Sequence, residues 1–452
     1  MKFLHCRIKD LMKKFFLFTA LLFATSAAFS QNVLSLFNKA NNFFYYLEEA
    51  KYDSAHLYFD PSEQAKVTPA MLKQIWEGIK AKLGQPKSIG AIQSKVQGDF
   101  FSVIVEGNFE HDDQNFILAF NKQEFLVGLF MPPKVATYTL PSYADTAAYR
   151  EESVYIGPKE RQLATVITIP KQAKNFPVIV FVHGSGPNDM DETVGANKPF
   201  KDLALGLAAK GIASLRYVKR TVLYASDFTN KAFTVKEEVT DDALLAIQMA
   251  KTIKGADPKQ IYVFGHSLGG MLAPRLATLT PELNGIILAA APARKLTDII
   301  VEQNKYFFAR MNDTTETSKK QFDEAIKNMD RSRITQLGGM KPDSLVMGLP
   351  AVYWADLNSY DQVETAKKLN KRIFVLQGGN DFQVSRQDYD MWDAALNKKK
   401  NVTLRFYPEL NHLLTSQAEK GTTEQYQKPA NVAEKVIEDI TLWVNKQPLS
   451  KE

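Results

Sequence analysis

Cysteine is all but missing from this 452-residue chain: one occurs, at position 6. Cys6 precedes the apolar run near the N-terminus, so it is no lipid-attachment site. Everything downstream is without a thiol, which excludes disulfides, cysteine-ligated metals and cysteine catalysis there. Histidine is scarce too, with six. An excess of one charge is also lacking. The first thirty residues carry five basic side chains and one acid, and the remainder holds 51 Lys+Arg against 49 Asp+Glu. That near-neutral balance argues against a nucleic-acid partner.

A long apolar run is absent as well. Phe15–Ala24 is too short to span a bilayer, but Lys13 and Lys14 stand before it. Ala28-Phe29-Ser30 follows with small residues at the positions a signal peptidase reads. Residues 1–30 are therefore expected to be a signal peptide, cut before Gln31, with Met12 a cleaner start than Met1. The mature chain is expected to leave the cytoplasm, periplasmic or secreted, and to keep no membrane span.

What is present is the composition of a soluble globular protein, 45% hydrophobic and 23% charged, at a length suited to roughly two to three domains. Residues 33–48 and 69–83 have helical periodicity, the second with Thr68 as N-cap, Pro69 in the first turn and Gly84 past the end. Strand-like runs follow at 100–109, 115–120 and 125–131. Residues 31–133 thus read as a small α+β domain, and 134–160 as a connector able to supply an edge strand.

From about 161 to 449 strands and helices alternate. Strands are expected at Val178–Val182, Ile212–Tyr217, Ile261–Phe264, Ile286–Ala291, Ile373–Gln377 and Val402–Tyr407. Helices fall at Phe200–Lys210, after the capping box Thr234-Val-Lys-Glu237, and at about 431–445. Continuous apolar strands separated by helices mean a mostly parallel sheet covered on both faces, an α/β fold. Between 292 and 358 the alternation stops. An insertion there is expected to form a lid over the strand ends, with Tyr306, Phe307, Phe308, Met311 and Trp354 either lining an acyl pocket or packing the inserted helices.

The chemistry is carried first by Gly265-His266-Ser267-Leu268-Gly269. Acyl transfer needs a serine oxygen held clear of its own backbone, and a sharp strand-to-helix turn between small residues does that. The match follows a buried strand and opens a helix, the context it requires. A base is found by elimination. His5 lies in the signal, His56 and His111 in the small domain, and His183 and His266 are locked at strand ends. His412 remains, just after the last core strand. For the acid, Asp381 sits in the turn after Ile373–Gln377, a better place than its rivals Asp356, Asp361, Asp388 and Asp390, of which Asp388 and Asp390 read as screened surface charges on the next helix. The amides of Leu268 and of Ser185, in His183-Gly184-Ser185-Gly186-Pro187, are the expected donors to an oxyanion.

These motifs, with Leu215-Arg216-Tyr217, Leu376-Gln377-Gly378-Gly379 and Asn411-His412, resemble one bacterial branch of the α/β-hydrolases. It includes the dienelactone-hydrolase-like and serine-aminopeptidase-like proteins, and the resemblance covers about 160–448. It implies the α/β-hydrolase fold, carboxylesterase-type activity and the triad Ser267, Asp381 and His412, with no cofactor and no metal. The N-terminal segment looks like an uncharacterised domain often fused ahead of such hydrolases, which implies no activity. One position departs from the pattern: Val218 stands where an acid often precedes the basic pair, here Lys219-Arg220, which reads as solvated surface. The substrate expected is a small-molecule ester or acyl compound. The alternatives are an exopeptidase or acyl-peptide hydrolase holding a substrate amine on a lid acid (Glu302, Asp323, Glu324 or Asp356), and a catalytically silent module binding glycan or peptide.

Overall fold

The computed structural model describes residues 35–449 apart from 98–99, 133–136 and 311–314. The expected signal segment, its cut before Gln31 and Met311 lie outside the described residues. The chain divides between Lys134 and Val135 into two compact units.

In the first unit, helices α1 (35–48), α2 (Tyr52–His56), α3 (Pro61–Gln64) and α4 (Pro69–Leu83) precede four antiparallel strands. These are β1 (Pro86–Gln97), β2 (Phe100–Phe109), β3 (Asp113–Phe120) and β4 (Leu126–Phe130), in the order β1-β2-β3-β4. α4 begins where its cap dictates: Thr68 Oγ1 accepts from the Met71 amide at 3.3 Å, and Gly84 closes the helix at φ +83°. Phe116, Leu118 and Phe120 alternate inward along β3 and bury against Phe44 and Trp76 of the helices. The strand that sequence reading missed is β1. It is an outer strand with register shifts at Pro86/Ser88 and Ala91/Gln93, which break the period-2 pattern.

The second unit is built on β5 (Tyr149–Ile156), β6 (Leu163–Pro170), β7 (Phe176–Val182), β8 (Ala213–Tyr217), β9 (Ala256–His266), β10 (Gly285–Ala289), a two-strand ribbon β11 (Leu345–Val346) and β12 (Leu349–Pro350), then β13 (Arg372–Gly378) and β14 (Val402–Tyr407). Eight strands form one sheet, β14-β13-β10-β9-β7-β8-β6-β5. The six from β14 to β8 run parallel; β6 and β5 pair antiparallel at one edge. The stretch read as a connector thus carries the sheet's outermost strand.

The helices are α5 (Pro199–Ala209), α6 (Arg220–Leu223), α7 (Asp241–Ala250), α8 (Leu268–Leu279), α9 (Leu296–Arg310), α10 (Glu316–Met329), α11 (Ala351–Ser359), α12 (Gln362–Lys368), α13 (Arg386–Leu396) and α14 (Glu434–Val444). α7 and α8 bury their apolar faces against one side of the sheet, and α5 and α14 against the other. β7 is buried along its whole length and β9 from Ile261 on, because both sides of the sheet are covered there. This is the α/β-hydrolase architecture. Among the described residues no helix is long and apolar enough to cross a membrane.

The segment 292–358 forms α9, α10, the β11/β12 ribbon and most of α11. The aromatics expected to line a pocket are used in packing, while Tyr353 of the same segment lines the larger hollow beside Ser267. Tyr306 stacks on Phe382, Phe308 on Phe322, and Trp354 is buried with its Nε1 donating to Val346 O at 2.7 Å. Phe307 meets Phe382 edge-on. They pack the insertion onto itself and onto the loops beneath it.

Candidate active site

Every loop of interest leaves the sheet at its C-terminal edge, where α/β folds open their crevices. Val182 aligns with Gly265, His266 with Ala289, Ala289 with Leu376, and Gly378 with Tyr407. The residues that follow β7, β9, β13 and β14 therefore emerge side by side.

After β9 the chain turns sharply. Ser267 takes φ +52° and ψ −117°, a conformation that side chains rarely adopt, and its amide is held by Ala289 O at 2.9 Å. The turn tolerates no Cβ on either side. One at Gly265 would stand 2.2 Å from Gly269 O, and one at Gly269 would stand 2.2 Å from Val182 O. These close approaches are why glycine flanks the serine, and they leave Ser267 partly exposed while His266 and Leu268 are buried. Leu268 opens α8, so its amide has no intrahelical acceptor and points out of the helix end.

After β13 the turn brings Asp381 to 1% exposure, and the loop after β14 brings His412 to 4%. His412 Nδ1 donates to Asp381 Oδ2 at 2.7 Å. The other carboxylate oxygen accepts the amides of Gln383 and Val384 at 2.7 and 2.8 Å, and Gln377 Nε2 reaches Oδ2 at 3.0 Å. A carboxylate fixed by three other donors holds the imidazole ring in one orientation, and His412 lines one hollow with Ser267. The rivals are occupied elsewhere. Asp356 pairs with Arg275 at 3.3 Å, Asp361 caps α12 through the Glu364 amide at 2.8 Å, and Asp390 pairs with exposed Arg386 at 2.8 Å. Asp388 is not the screened surface charge expected of it. It is fully buried, accepting the Ala293 and Arg294 amides and the Arg294 guanidinium, and so pins the start of the insertion.

The loop after β7 lies against the nucleophile: a Cβ at Gly184 would come 3.2 Å from Ser267 Cβ. Ser185 and Ser267 line two adjoining hollows. One, of about 410 Å³, is walled by Phe228, Phe233, Leu296, Ile299, Ile300 and Leu349. The other, of about 230 Å³, has Ser267 and His412 in its lining together with Asn188, Thr423, Tyr426 and Gln427.

Sequence reading missed Glu192, a buried carboxylate beside these loops. Glu192 Oε1 accepts the Gly184 amide at 2.6 Å, and its Oε2 lies 2.9 Å from His266 Nδ1, an ion-pair contact in which no hydrogen aligns. His266 Nε2 donates to the backbone carbonyl of His412 at 2.8 Å. Burial works against charging His266, but the Glu192 carboxylate and the bond to the His412 carbonyl outweigh it, and its pKa is raised. Burial alone would lift Glu192; the facing imidazoles and the Gly184 amide bring it below its ordinary value instead. His183 is the opposite case: burial pushes it down to about 4, so it stays neutral beside Phe200 and Tyr217.

Lys219 and Arg220 are the clearest correction. They are not solvated surface. Lys219 is 2% exposed and bonded to Gly184 O, Gly186 O and Glu238, while Arg220 pairs with fully buried Asp242. Their position was the available signal: the pair directly follows β8, at the same sheet edge as the other loops. Among the described residues no group of three or more His, Cys, Asp or Glu is arranged to hold a metal ion.

A family model described as serine aminopeptidase, S33, matches residues 231–419, and one described as a protein of unknown function (DUF3887) matches 40–129. Esterase EstD of Thermotoga maritima is 34% identical over 407 residues, which cover 89% of this chain and 94% of that protein. The chain belongs to this esterase family of α/β-hydrolases. The family relationship spans both units, not the hydrolase unit alone. Among solved structures, Est1E from Butyrivibrio proteoclasticus aligns at 15% identity with a TM-score of 0.41, over 65% of this chain and 99% of that one. A Pyrococcus horikoshii acylaminoacyl peptidase aligns at 14% with a TM-score of 0.46, over 80% and 57%. Similarity this loose bears on neither substrate nor mechanism.

Proposed function

We propose that this esterase-family protein hydrolyses carboxylic esters through an acyl-enzyme on Ser267. The observation that carries the reading is the buried His412–Asp381 pair, at 2.7 Å, in a cleft it shares with a serine in a strained turn. His412 Nε2 takes the Ser267 proton as Oγ attacks the acyl carbon, and Asp381 stabilises the imidazolium that forms. The tetrahedral oxyanion rests on the Ser185 and Leu268 amides. Collapse breaks the ester C–O bond, the alcohol leaves with the proton from His412, and water repeats the sequence to free the acid.

The two hollows divide the substrate between them. The leaving alcohol takes its proton from His412, so it belongs in the hollow that His412 lines, the more polar of the two. The acyl group belongs in the larger apolar one. Among the described residues no unengaged carboxylate lines it to hold a substrate amine. The lid acids are elsewhere: Glu302 pairs with Arg294, Asp356 with Arg275, and Asp323 and Glu324 are exposed on α10. Glu238 does line the apolar hollow, but its oxygens are engaged by Lys219 and by Tyr353 Oη at 2.7 Å. The arrangement favours a neutral acyl group over an aminoacyl one.

Ser267→Ala and His412→Ala are each expected to lose on the order of 10³-fold or more in kcat on short nitrophenyl esters, and the double variant no more than the worse single one. Near-normal turnover by either single variant contradicts the assignment.

A further inference from the structure

The loop Gly184-Ser185-Gly186 owes its shape to three buried side chains rather than to its own turn. An ammonium has three donors, and those of Lys219 are all used: Gly184 O and Gly186 O, each at 2.8 Å, and Glu238 Oε1 at 2.6 Å. The Gly184 amide is taken by Glu192 and the Gly186 amide by Glu238, at 2.6 and 3.3 Å. Asn188 Nδ2 adds longer contacts to the three carbonyls, at 3.3 to 3.4 Å. Among the described residues the amide left without a partner in this loop is that of Ser185.

In a trans peptide the C=O and the next N–H point in opposite directions from one plane. Fastening Gly184 O to Lys219 therefore fixes the direction of the Ser185 N–H away from Lys219. Glu238 reaches the loop from Lys236–Thr240, a π-helical turn that precedes α7, and the extra residue in such a turn re-aims its side chains. Tyr353 of α11 holds the second oxygen of Glu238, so one connected network runs from the acyl hollow's wall to the oxyanion loop.

We infer that Lys219, braced by Glu238, is a positioning residue for the oxyanion hole: it aims the Ser185 amide at the developing charge and adds a buried cation behind that peptide. The inference rests on the Ser267 reading given above. Lys219 touches no reacting atom. Its effect is confined to the transition state, where the amide is needed, and leaves ground-state ester binding alone.

The test compares Lys219→Met, the charge-balanced double variant Lys219→Met/Glu238→Gln and the isosteric Glu238→Gln, by kcat and KM on an acetyl ester and by the affinity of a trifluoromethyl ketone. That inhibitor forms a hemiketal oxyanion on the serine. Removal of the lysine is expected to lower kcat roughly 10²- to 10³-fold, the scale of a lost oxyanion donor, with KM within about threefold. Ketone affinity should fall in parallel, and Glu238→Gln should lose roughly tenfold in kcat with KM unchanged. Because the double variant leaves no unpaired buried charge, it keeps the question open to measurement should Lys219→Met fail to fold, and Glu238→Gln does the same for both. A folded Lys219 variant with kcat within threefold of wild type overturns the inference. So does one that loses kcat with ketone affinity intact, which marks general damage, or a Glu238→Gln variant of wild-type kcat where neither lysine variant folds. If wild type hydrolyses no ester, or Ser267→Ala still does, the reading beneath falls instead.

Discussion

At the scale of single residues, the site separates carboxylates that do chemistry from those that hold shape. Asp381→Asn keeps the volume but removes the charge facing the imidazolium and lets His412 adopt the wrong tautomer, so kcat is expected to fall by up to about 10⁴. Asp356→Asn breaks a half-buried pair and Asp390→Asn an exposed one, both away from the triad, and each is expected to stay within a few-fold of wild type. Asp388→Asn should lower thermal stability, because Arg294 is left without its buried partner. An inactive Asp356→Asn beside an active Asp381→Asn would reassign the acid. The Glu192–His266 pair gives a pH signature. His266 is raised, so its contribution to stability is full below its ordinary 6.5 and fades as pH rises through the folded value. Glu192 is lowered, so its contribution is full above its ordinary 4.5 and fades as pH falls through the folded value. The stability advantage of wild type over Glu192→Gln, measured by denaturant unfolding, should peak between those values and shrink towards pH 9. An advantage that grows with pH contradicts the pair.

At the scale of elements, legibility followed the strength of local signals. Thr68, Pro69 and Gly84 are contiguous cap chemistry and mark α4 to the residue. The strand of the elbow, Ile261–Phe264, was equally legible, because a buried parallel strand is a continuous apolar run, and Val402–Tyr407 was found with its bounds although it is a half-buried edge strand. β5 was expected only as an unplaced edge strand within 134–160, because the exposed Glu151 and Glu152 break any apolar run in it, and β6 beside it was not placed. The insertion's boundaries could be read from a break in alternation. Its aromatics could not be assigned to pocket or packing, since both uses demand the same apolar side chains. Lys219 was misread for a related reason: a basic pair is usually solvated, and only the fold reveals the two carbonyls and the carboxylate that surround it. The walls that do line the acyl hollow offer a test. Ile300→Trp should fill part of the roughly 410 Å³ hollow and disfavour long acyl esters by about tenfold or more relative to acetyl ester. Phe308→Ala should lower the melting temperature and leave that ratio unchanged. Equal loss on all chain lengths from Ile300→Trp would place the acyl group elsewhere.

At the scale of the whole molecule, one chain joins a small α+β unit and a hydrolase unit. Export is our proposal from the order of basic residues, apolar run and small-residue site, and sequencing the N-terminus of material recovered outside the cytoplasm is expected to begin close to Gln31. A full-length cytoplasmic product contradicts it. The hydrolase unit brings its chemistry together from four strand ends that are far apart in sequence, with a sheet buried on both faces keeping them in register. The central claim is that Ser267 is the nucleophile of a working ester hydrolase. It is tested most directly by treating the folded protein with a fluorophosphonate and mapping the adduct by peptide mass spectrometry. The account predicts one phosphonyl group, on Ser267, with ester turnover lost in step with labelling. Labelling at another residue, or full turnover after Ser267 is modified, would contradict it.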